Sequence, residues 1–293
     1  MAKPLSEALD IVVKTDPGIV RGHNEDAVFA NPDLGLVILA DGMGGYNAGE
    51  VASGMATMFL STELERVFSA RPPGASLGGS GDDPAQLSIL DRIAGDSFVH
   101  RSILQQVAMT NSAIFNTAES QAQYAGMGTT LVAALFHDNL VTVAHIGDSR
   151  LYRLRGDEFC ALTRDHSLLQ EQIDSGMITA EEARFSKNKN LVTRALGVDA
   201  VVETEIHDYP VLQGDLYLLC SDGLNDMVED EEIHLTLQML SANLELAATQ
   251  LIEMANDNGG RDNVSVILIK VLHDFSVPRD TWSKFKAWFR VRR

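Results

Sequence analysis

The chain has few cysteines and few positive charges, and both scarcities exclude whole classes of protein. It contains two cysteines among 293 residues, Cys160 and Cys220, and no CxxC pair, which excludes a zinc ribbon or a thioredoxin-type site. Lys and Arg number 23 against 41 Asp and Glu, for a formal net charge of -18. Because nucleic acid attracts excess positive charge, we expect no nucleic-acid partner.

The sequence also lacks a long hydrophobic run. No apolar stretch approaches the ~20 residues needed to span a bilayer, and the first residues do not show the basic and then apolar pattern of a signal peptide. We therefore expect a reduced, cytoplasmic protein and, with 45% hydrophobic residues, one that buries a sizeable core. We also expect a monomer.

Runs of β-branched and aliphatic residues recur along the chain and are joined by short turns. The runs 129–147 and 150–163 contain the sequences HDN and RGDE, where hairpins would bend. Helical periodicity appears instead at 48–68, 97–121 and 244–256. Hairpin-linked strands combined with pairs of long helices predict an α+β fold, with antiparallel sheets covered by helices.

The first predicted helix is followed by a segment of different composition. The segment 69–84 is rich in Pro, Gly and Ser, so we predict a flexible surface loop. Within the helix, the large apolar residues are predicted to face the core, and they are Val51, Met55, Met58, Phe59 and Phe68.

Carboxylates stand at or next to the ends of four predicted strands. They are Asp41 after LVILA, Asp222 after LYLLCS, Asp262 before NVSVILIKVL, and Glu25 with Asp26 before AVFA. A single Asp after a strand is usually a turn or cap residue, but four such ends side by side would gather anions at one rim. Gathered anions repel each other unless a cation joins them, and hard divalent cations prefer oxygen ligands. The pattern predicts a divalent metal site.

Eight short motifs occur in order between about residues 8 and 273. They are GIVRGHNEDA (18–27), LADGMGGYNAGEVAS (39–53), GMGTTLVAAL (126–135), AHIGDSRLYRL (144–154), LTRDHSLL (162–169), LVTRALG (191–197), LLCSDGLND (218–226) and GGRDNVSVIL (259–268). Together they resemble the metal-dependent protein serine/threonine phosphatases of type 2C, the PPM family, and most closely the compact bacterial members.

The resemblance implies a fold and a domain organisation. The fold is a four-layer α-β-β-α sandwich, in which two antiparallel sheets are flanked by pairs of helices. The catalytic domain would occupy residues 1–275, with a flap subdomain at 165–192. The resemblance leaves the loop 69–84 and the C-terminal tail, 276–293, without a counterpart.

The resemblance also implies a site for two Mn²⁺ or Mg²⁺ ions. The implied metal ligands are Asp41, which would bridge both ions, the carbonyl of Gly42, the carboxylates of Asp222 and Asp262, and Glu25 and Asp26, which would hold metal-bound waters. Arg21 matches the arginine that binds the substrate phosphate, so Arg21 and Asp41 are the implied catalytic residues. Asn263 is expected to shape the same rim.

The implied reaction is direct attack of a metal-bound hydroxide on phosphoserine or phosphothreonine. The implied partners are phosphorylated proteins, namely a bacterial serine/threonine kinase and its substrates, which the phosphatase would oppose.

Some positions depart from the family pattern. Tyr46 and Met43 stand where relatives carry a histidine that assists the leaving group, and Tyr46 would either donate a hydrogen bond or simply pack. Ala125 replaces an aspartate that holds a third ion in some members, whereas Asp226 matches the other ligand of that ion. We therefore expect a weak third metal site.

Four polar residues in the motifs are predicted to be structural. The resemblance places Asp148 and Arg150 at a turn between strands. His166 is interpreted as a polar residue with satisfied hydrogen bonds, and neither His145 nor His166 is expected to be catalytic.

The C-terminal tail is basic and aromatic. Residues 279–293 carry six Lys or Arg against one Asp, a balance of +5 that leaves -23 for the rest of the chain. On a helix its aromatic residues would share one face, so the tail could lie on an anionic membrane surface, dock on a partner or fold back on the acidic body.

Two other functions stay open at this point. A protein of the same fold could be a regulatory binding module without catalysis, or a hydrolase for a small phosphorylated metabolite. The intact set of Arg21, Asp41, Asp222 and Asp262 counts against the binding module, and the sequence of the flap does not exclude the metabolite.

Overall fold

The computed structural model describes residues 5–45, 48–70, 98–183 and 191–276. Tyr46, most of the predicted loop 69–84 and the tail beyond Ser276 therefore lie outside the described residues. Within the described residues, no helix is long and apolar enough to cross a membrane.

The strands and helices follow one another in chain order. The strands are β1 Leu9–Asp16, β2 Asp26–Asn31, β3 Leu36–Met43, β4 Gly128–Thr129, β5 Leu131–His137, β6 Leu140–Ile146, β7 Arg150–Arg155, β8 Glu158–Ala161, β9 Glu205–Pro210, β10 Leu216–Cys220 and β11 Val264–Val271. The helices are α1 Leu5–Ala8, α2 Ala48–Ala70, α3 Phe98–Ser120, α4 Leu168–Asp174, α5 Ala180–Ala183, α6 Asp222–Asn225, α7 Asp230–Leu240 and α8 Leu244–Asp257.

The strands form two antiparallel sheets. One sheet has the order β1-β11-β10-β7-β8, and the other has the order β2-β3-β5-β6-β9, with the short β4 paired to β3. The first strand pairs with the last along its whole length, from Leu9 opposite Val271 to Asp16 opposite Val264. The predicted antiparallel architecture is confirmed.

Three apolar clusters separate four layers. One lies between α2 with α3 and the β2-β3-β5-β6-β9 sheet, a second lies between the two sheets, and a third lies between the other sheet and α7 with α8. In β3, Leu36 and Ile38 face α2 and α3, whereas Val37 and Leu39 face the opposite sheet. Because the central strands are buried on both faces, they are continuous apolar runs rather than alternating ones.

The predicted hairpins are present. In the HDN turn between β5 and β6, Asp138 and Asn139 have φ angles of 46° and 56°, as a two-residue turn of type I′ requires. In the turn between β7 and β8, Gly156 has a φ of 59°.

The buried face of α2 agrees with the predicted one only in part. Val51 and Met55 are partly buried and pack against the core, as predicted, but Met58 is 56% exposed. The fully buried residues also include Ala52, Ala56, Leu60 and Leu64. The alanines let the helix lie close to its neighbours, so the face is centred on smaller residues than predicted. Phe68 is buried as predicted.

The elements that were not predicted from the sequence include the strand β9 and the helix α7. The strand β9 is an edge strand with no fully buried residue, so it lacks an apolar run. The helix α7 begins with three acidic residues and a capping box between Glu229 and Glu232, and its buried face consists of Ile233 and Leu237.

Overpacking tests the assignment of the α2 face. Ala56→Leu places three extra carbons against the sheet, and we expect a loss of about 1–3 kcal/mol in the free energy of unfolding. Met58→Ala, two residues away on the exposed side, should change it by about 0.5 kcal/mol or less. Urea unfolding followed by circular dichroism measures both variants, and the reverse ranking would contradict the observed face.

Candidate metal centre

The strand register brings the predicted carboxylates together. Asp26 and Asp41 are direct partners across β2 and β3. In the other sheet Asp222 follows β10, and Asp262 lies two residues before β11, which pairs with β10. A hydrogen bond of 2.8 Å from Ser221 Oγ to Asp26 Oδ2 joins the two sheets at this end. The four strand ends therefore meet at one rim, as the sequence predicted.

Asp26 is partly buried, and one of its oxygens is buried without a hydrogen-bond partner. Its Oδ2 accepts from Ser221, whose Oγ in turn accepts the Ser265 N–H at 2.9 Å. Its Oδ1 has no hydrogen-bond partner among the described residues. Burial, with a contribution from the negative charge of Asp262, raises the pKa of Asp26 to about 6. This buried oxygen is available to a cation or to water bound to one.

The main chain of Asp41 is fixed by β4 and its neighbours. Its N–H donates to Thr130 Oγ1 at 3.0 Å, and its carbonyl accepts from the Thr130 N–H at 2.9 Å. Thr130 Oγ1 is itself hydrogen bonded to Ser149 Oγ at 2.7 Å. Burial, followed by repulsion from Asp26 and Asp222, raises the pKa of Asp41 well above its usual range. The carboxylate is thus held rigidly among like charges.

Gly42 lies where no side chain fits. A Cβ at this position would stand 2.2 Å from the Gly49 carbonyl oxygen in α2 and 2.6 Å from the Glu25 carbonyl oxygen. The Gly42 N–H donates to that Glu25 carbonyl at 3.1 Å, and Ser53 Oγ donates to the same oxygen at 2.5 Å. The glycine lets α2 and the segment before β2 approach β3 and support Asp41.

Asp222 and Asp262 occupy different environments. Burial, then repulsion from Asp148 and Asp226, raises the pKa of Asp222 well above its usual range. Asp262 is partly exposed and accepts a hydrogen bond of 2.7 Å from Arg21 Nη2. Asp226 follows α6, and its N–H donates to the Asp222 carbonyl at 2.8 Å.

Asn263 ties the rim to the segment before β2. Its Oδ1 accepts the Glu25 N–H at 2.7 Å, and its Nδ2 donates to the carbonyls of Pro17 and His23, both at 2.9 Å. The segment that carries Arg21 is therefore held at both ends by one side chain. This is the shaping role that was expected for Asn263.

Asp148 lies within the acidic group and not only at a turn. It is 6% exposed, and burial with repulsion from Asp165 raises its pKa to about 7. With Asp222 and Asp226 it lines a cavity of about 330 Å³. The sequence placed Asp148 at a turn because the local motif does not reveal which charges it meets across the sheets.

Arg150 is a structural residue, as predicted. Its guanidinium binds Asp165 through two hydrogen bonds of 2.9 and 2.7 Å and donates to Tyr152 OH at 2.8 Å. A bidentate pair of this kind fixes both side chains, and it secures the segment before α4 to β7.

A second group of potential ligands contains His145, His166 and Glu205, whose ligand atoms lie within 4.8 Å of one another. His166 Nδ1 accepts the Gly147 N–H at 3.1 Å, so its proton is on Nε2, which lies 3.1 Å from Glu205 Oε1. A metal ion bound by His166 would have to replace the proton on Nε2, because Nδ1 already accepts a hydrogen bond. Burial and the neighbouring His166 lower the pKa of His145 to about 4, and its Nε2 donates to the Gly147 carbonyl at 2.9 Å. We interpret His166 as a hydrogen-bonded support, as predicted, whereas the buried Nδ1 of His145 has no hydrogen-bond partner among the described residues.

The oxygen donors of the rim fit divalent cations. Three of its carboxylates, those of Asp26, Asp41 and Asp222, lie together and carry raised pKa values. In the described part of the chain, none of these three forms an ion pair with a lysine or an arginine. The neighbouring Asp262 pairs with Arg21. Cations at this rim would relieve the repulsion.

The supporting hydroxyls were missed from the sequence. They are Ser53, Thr130, Ser149 and Ser221. Each lies within or next to a quoted motif, but a serine or threonine beside an acid is equally typical of a turn. Tyr46 lies outside the described residues, so its role stays a prediction.

Comparisons with known proteins agree with this geometry. A family model described as protein phosphatase 2C matches residues 20–263. The serine/threonine phosphatase stp of Listeria innocua is 38% identical over 88% of this chain and 94% of its own length. The serine/threonine protein phosphatase PstP of Mycobacterium tuberculosis is 39% identical over 90% of this chain and 45% of its own length.

Solved structures are similar over the same span. The crystal structure of PstP from Mycobacterium tuberculosis has a TM-score of 0.75 at 37% identity and covers 90% of this chain and 99% of that one. The catalytic domain of PstP in complex with 2 manganese ions has a TM-score of 0.73 at 38% identity, with the same coverage.

The raised pKa of Asp148 predicts a pH effect on the metal-free protein. A carboxyl group whose pKa is higher in the folded than in the unfolded state stabilises at low pH, and this contribution is lost as the pH rises through about 7. Between pH 5 and pH 8, wild type should lose roughly 2 kcal/mol of unfolding free energy relative to Asp148→Asn.

Urea unfolding in the presence of a chelator measures this difference. The exposed Asp33→Asn serves as the control and should follow wild type at both pH values. A constant difference between wild type and Asp148→Asn across this range would contradict the assigned environment.

Proposed function

The chain belongs to the protein phosphatase 2C family, and on that premise we propose how its acidic rim works and on what. The chain is a serine/threonine protein phosphatase. We propose that it hydrolyses phosphoserine and phosphothreonine in proteins, and that it opposes a serine/threonine kinase. The observation that carries this proposal is the convergence of the carboxylates of Asp26, Asp41 and Asp222, which repel one another at one rim, beside Arg21.

We assign the metal ligands residue by residue. Two Mn²⁺ or Mg²⁺ ions, when bound, would neutralise the cluster, polarise the phosphoryl group and make a water molecule acidic enough to attack it. The proposed ligands are Asp41 between the two ions, the Gly42 carbonyl, Asp222 and Asp262, with Glu25 and Asp26 holding coordinated water. The two manganese ions in the related PstP structure support this assignment.

A third ion is proposed to bind weakly. Asp226 offers a carboxylate next to Asp222, but Ala125 follows the short 3-10 turn at 122–124 and has no ligand atom in its side chain. Asp148 adds a buried carboxylate to the same cavity.

Arg21 is proposed to bind the substrate phosphate. Its side chain is half exposed, and its one hydrogen bond among the described residues is the 2.7 Å bond to Asp262. A guanidinium has five N–H donors, so the others remain for phosphate, which can accept two in parallel. The hydrogen bond to Asp262 orients the guanidinium at the rim. Its positive charge attracts the dianionic phosphate, which the carboxylates alone would repel.

Asp26 and Ser221 are proposed to keep water in place at the rim. Asp26 Oδ2 is held by Ser221, so its unpartnered Oδ1 has a fixed direction. A fixed acceptor orients the protons of a neighbouring water and leaves the lone pair of its oxygen free to attack phosphorus.

We propose a cytoplasmic location and a monomeric state. Both cysteines are free, with Cys220 buried in the core and Cys160 on β8, as suits a reducing compartment. The domain limits 1–275 and the flap limits 165–192 stay predictions.

Substitution of one carboxylate tests the proposed chemistry. Asp222→Asn keeps the shape of the side chain but removes a charged ligand, and we expect kcat/KM for a phosphothreonine peptide to fall by at least about 100-fold. The assay follows manganese-dependent release of phosphate.

The control removes a carboxylate far from the rim. Asp33→Asn, in the exposed turn before β3, should retain wild-type activity. An equal loss in both variants would refute the site assignment, and metal-independent turnover by wild type would refute the mechanism.

For the tail, which lies outside the described residues beyond Ser276, we propose docking on the acidic body of the chain. About a dozen basic and aromatic residues give only modest affinity for a membrane, whereas the rest of the chain carries -23.

Liposome flotation distinguishes the two possibilities. With anionic vesicles at low salt, the intact chain and a version that ends at Val277 should be recovered equally in the floating fraction. Salt-sensitive enrichment of the intact chain alone would show that the tail binds the membrane surface.

A further inference from the structure

Two apolar side chains beside Arg21 are exposed. Ile19 is 68% exposed and Val20 is 67% exposed, although both belong to residue types that are normally buried. They immediately precede the arginine proposed to bind phosphate. Neither contributes to any of the three apolar clusters of the sandwich.

The main chain beneath this pair is fixed. The N–H groups of Ile19 and Val20 both donate to the Gly260 carbonyl, at 2.8 and 3.1 Å. A Cβ on Gly260 would lie 2.8 Å from the Ile19 nitrogen, and Gly260 has a φ of 50°. The turn between α8 and β11 thus supports the two residues from below.

The residues before the pair are equally constrained. Gly18 has a φ of 76°, and a Cβ there would stand 2.2 Å from the Asp262 carbonyl oxygen. Its N–H donates to Asp16 Oδ1 at 2.9 Å, and the same oxygen accepts from Asn256 Nδ2 at 3.1 Å. The pair is therefore presented to solvent by a rigid segment and not by a loose loop, so the exposure is built into the fold.

We propose that Ile19 and Val20 bind an apolar side chain that flanks the phosphorylated residue of the substrate. This inference rests on the proposed function of Arg21. Neighbouring Cα atoms lie about 3.8 Å apart in any trans-linked chain, in the enzyme and in the peptide alike. Because the pair and Arg21 are consecutive residues on one fixed segment, we place the residue next to the phosphorylated one against the pair when Arg21 binds the phosphate.

The physical basis is burial of apolar surface on a pre-formed support. Because the segment is already ordered by Gly260, Gly18 and Asn263, binding requires little further ordering of the enzyme. The pair would therefore favour phosphoserine and phosphothreonine sites with an aliphatic neighbour over sites with glycine there.

Two phosphothreonine peptides test the preference. One peptide carries leucine on both sides of the phosphothreonine, and the other carries glycine at the same two positions. A third substrate, p-nitrophenyl phosphate, has no flanking residues. For wild type with manganese, we expect kcat/KM to be about five-fold or more higher for the leucine peptide. In the double variant Ile19→Ser, Val20→Ser this ratio should fall below about two-fold.

A matched control tests whether the loss of any exposed apolar side chain changes the ratio of the two kcat/KM values. Leu212→Ser removes a 53% exposed apolar side chain from the turn before β10, at the opposite end of the sandwich, and should keep the wild-type ratio. For the double variant we expect turnover of p-nitrophenyl phosphate within two-fold of wild type and an unchanged melting temperature.

Three results would overturn the inference. They are equal turnover of the two peptides by wild type, an unchanged ratio in the double variant, and a parallel loss on p-nitrophenyl phosphate, which would indicate a structural role. If wild type hydrolysed no phosphorylated substrate at all, the proposed function would fail and the inference with it.

Discussion

Repulsion between carboxylates at one end of the sandwich is the constraint on which the rest of the structure depends. Asp26, Asp41 and Asp222 have raised pKa values because they are largely shielded from water and face each other. A flexible chain would relieve such repulsion by moving the groups apart. Here Asp41 lies near the end of β3, Asp26 begins β2, which pairs with β3, and Asp222 follows β10, so the paired strands hold the charges together.

The hydrogen bonds around the rim have one common property, which is that they join different elements. Ser221 connects the two sheets, Ser53 connects α2 to the segment before β2, and Thr130 connects β3 to the beginning of β5. Asn263 connects the segment before β2 to the beginning of β11. The geometry of the site is therefore a property of the assembled sandwich and not of any one motif.

Much of the fold could be predicted because burial on both faces leaves a strong signal. The runs of β3 and β11 contain almost nothing but aliphatic residues, and the carboxylates at their ends stand out against them. The face of α2 could be predicted only in part from hydrophobicity, since alanines make some of its contacts and the large Met58 faces solvent. β9 had no signal because it is an exposed edge strand, and the place of Asp148 depends on groups distant in sequence. The acids at the strand ends predicted a divalent metal at this rim from the residues alone, whereas the role of each ligand and the binding of phosphate came from resemblance.

Pairing of the first strand with the last has a consequence for synthesis of the protein on the ribosome. Leu9–Asp16 finds its partner only when Val264–Val271 has emerged, and Asp262 arrives immediately before that strand. All the residues from Leu9 to Val271 must be made before this sheet can close and Asp262 can join the other acidic groups. A truncated product would lack both, so partial translation yields no half-assembled phosphatase, and the enzyme gains its activity in one late step.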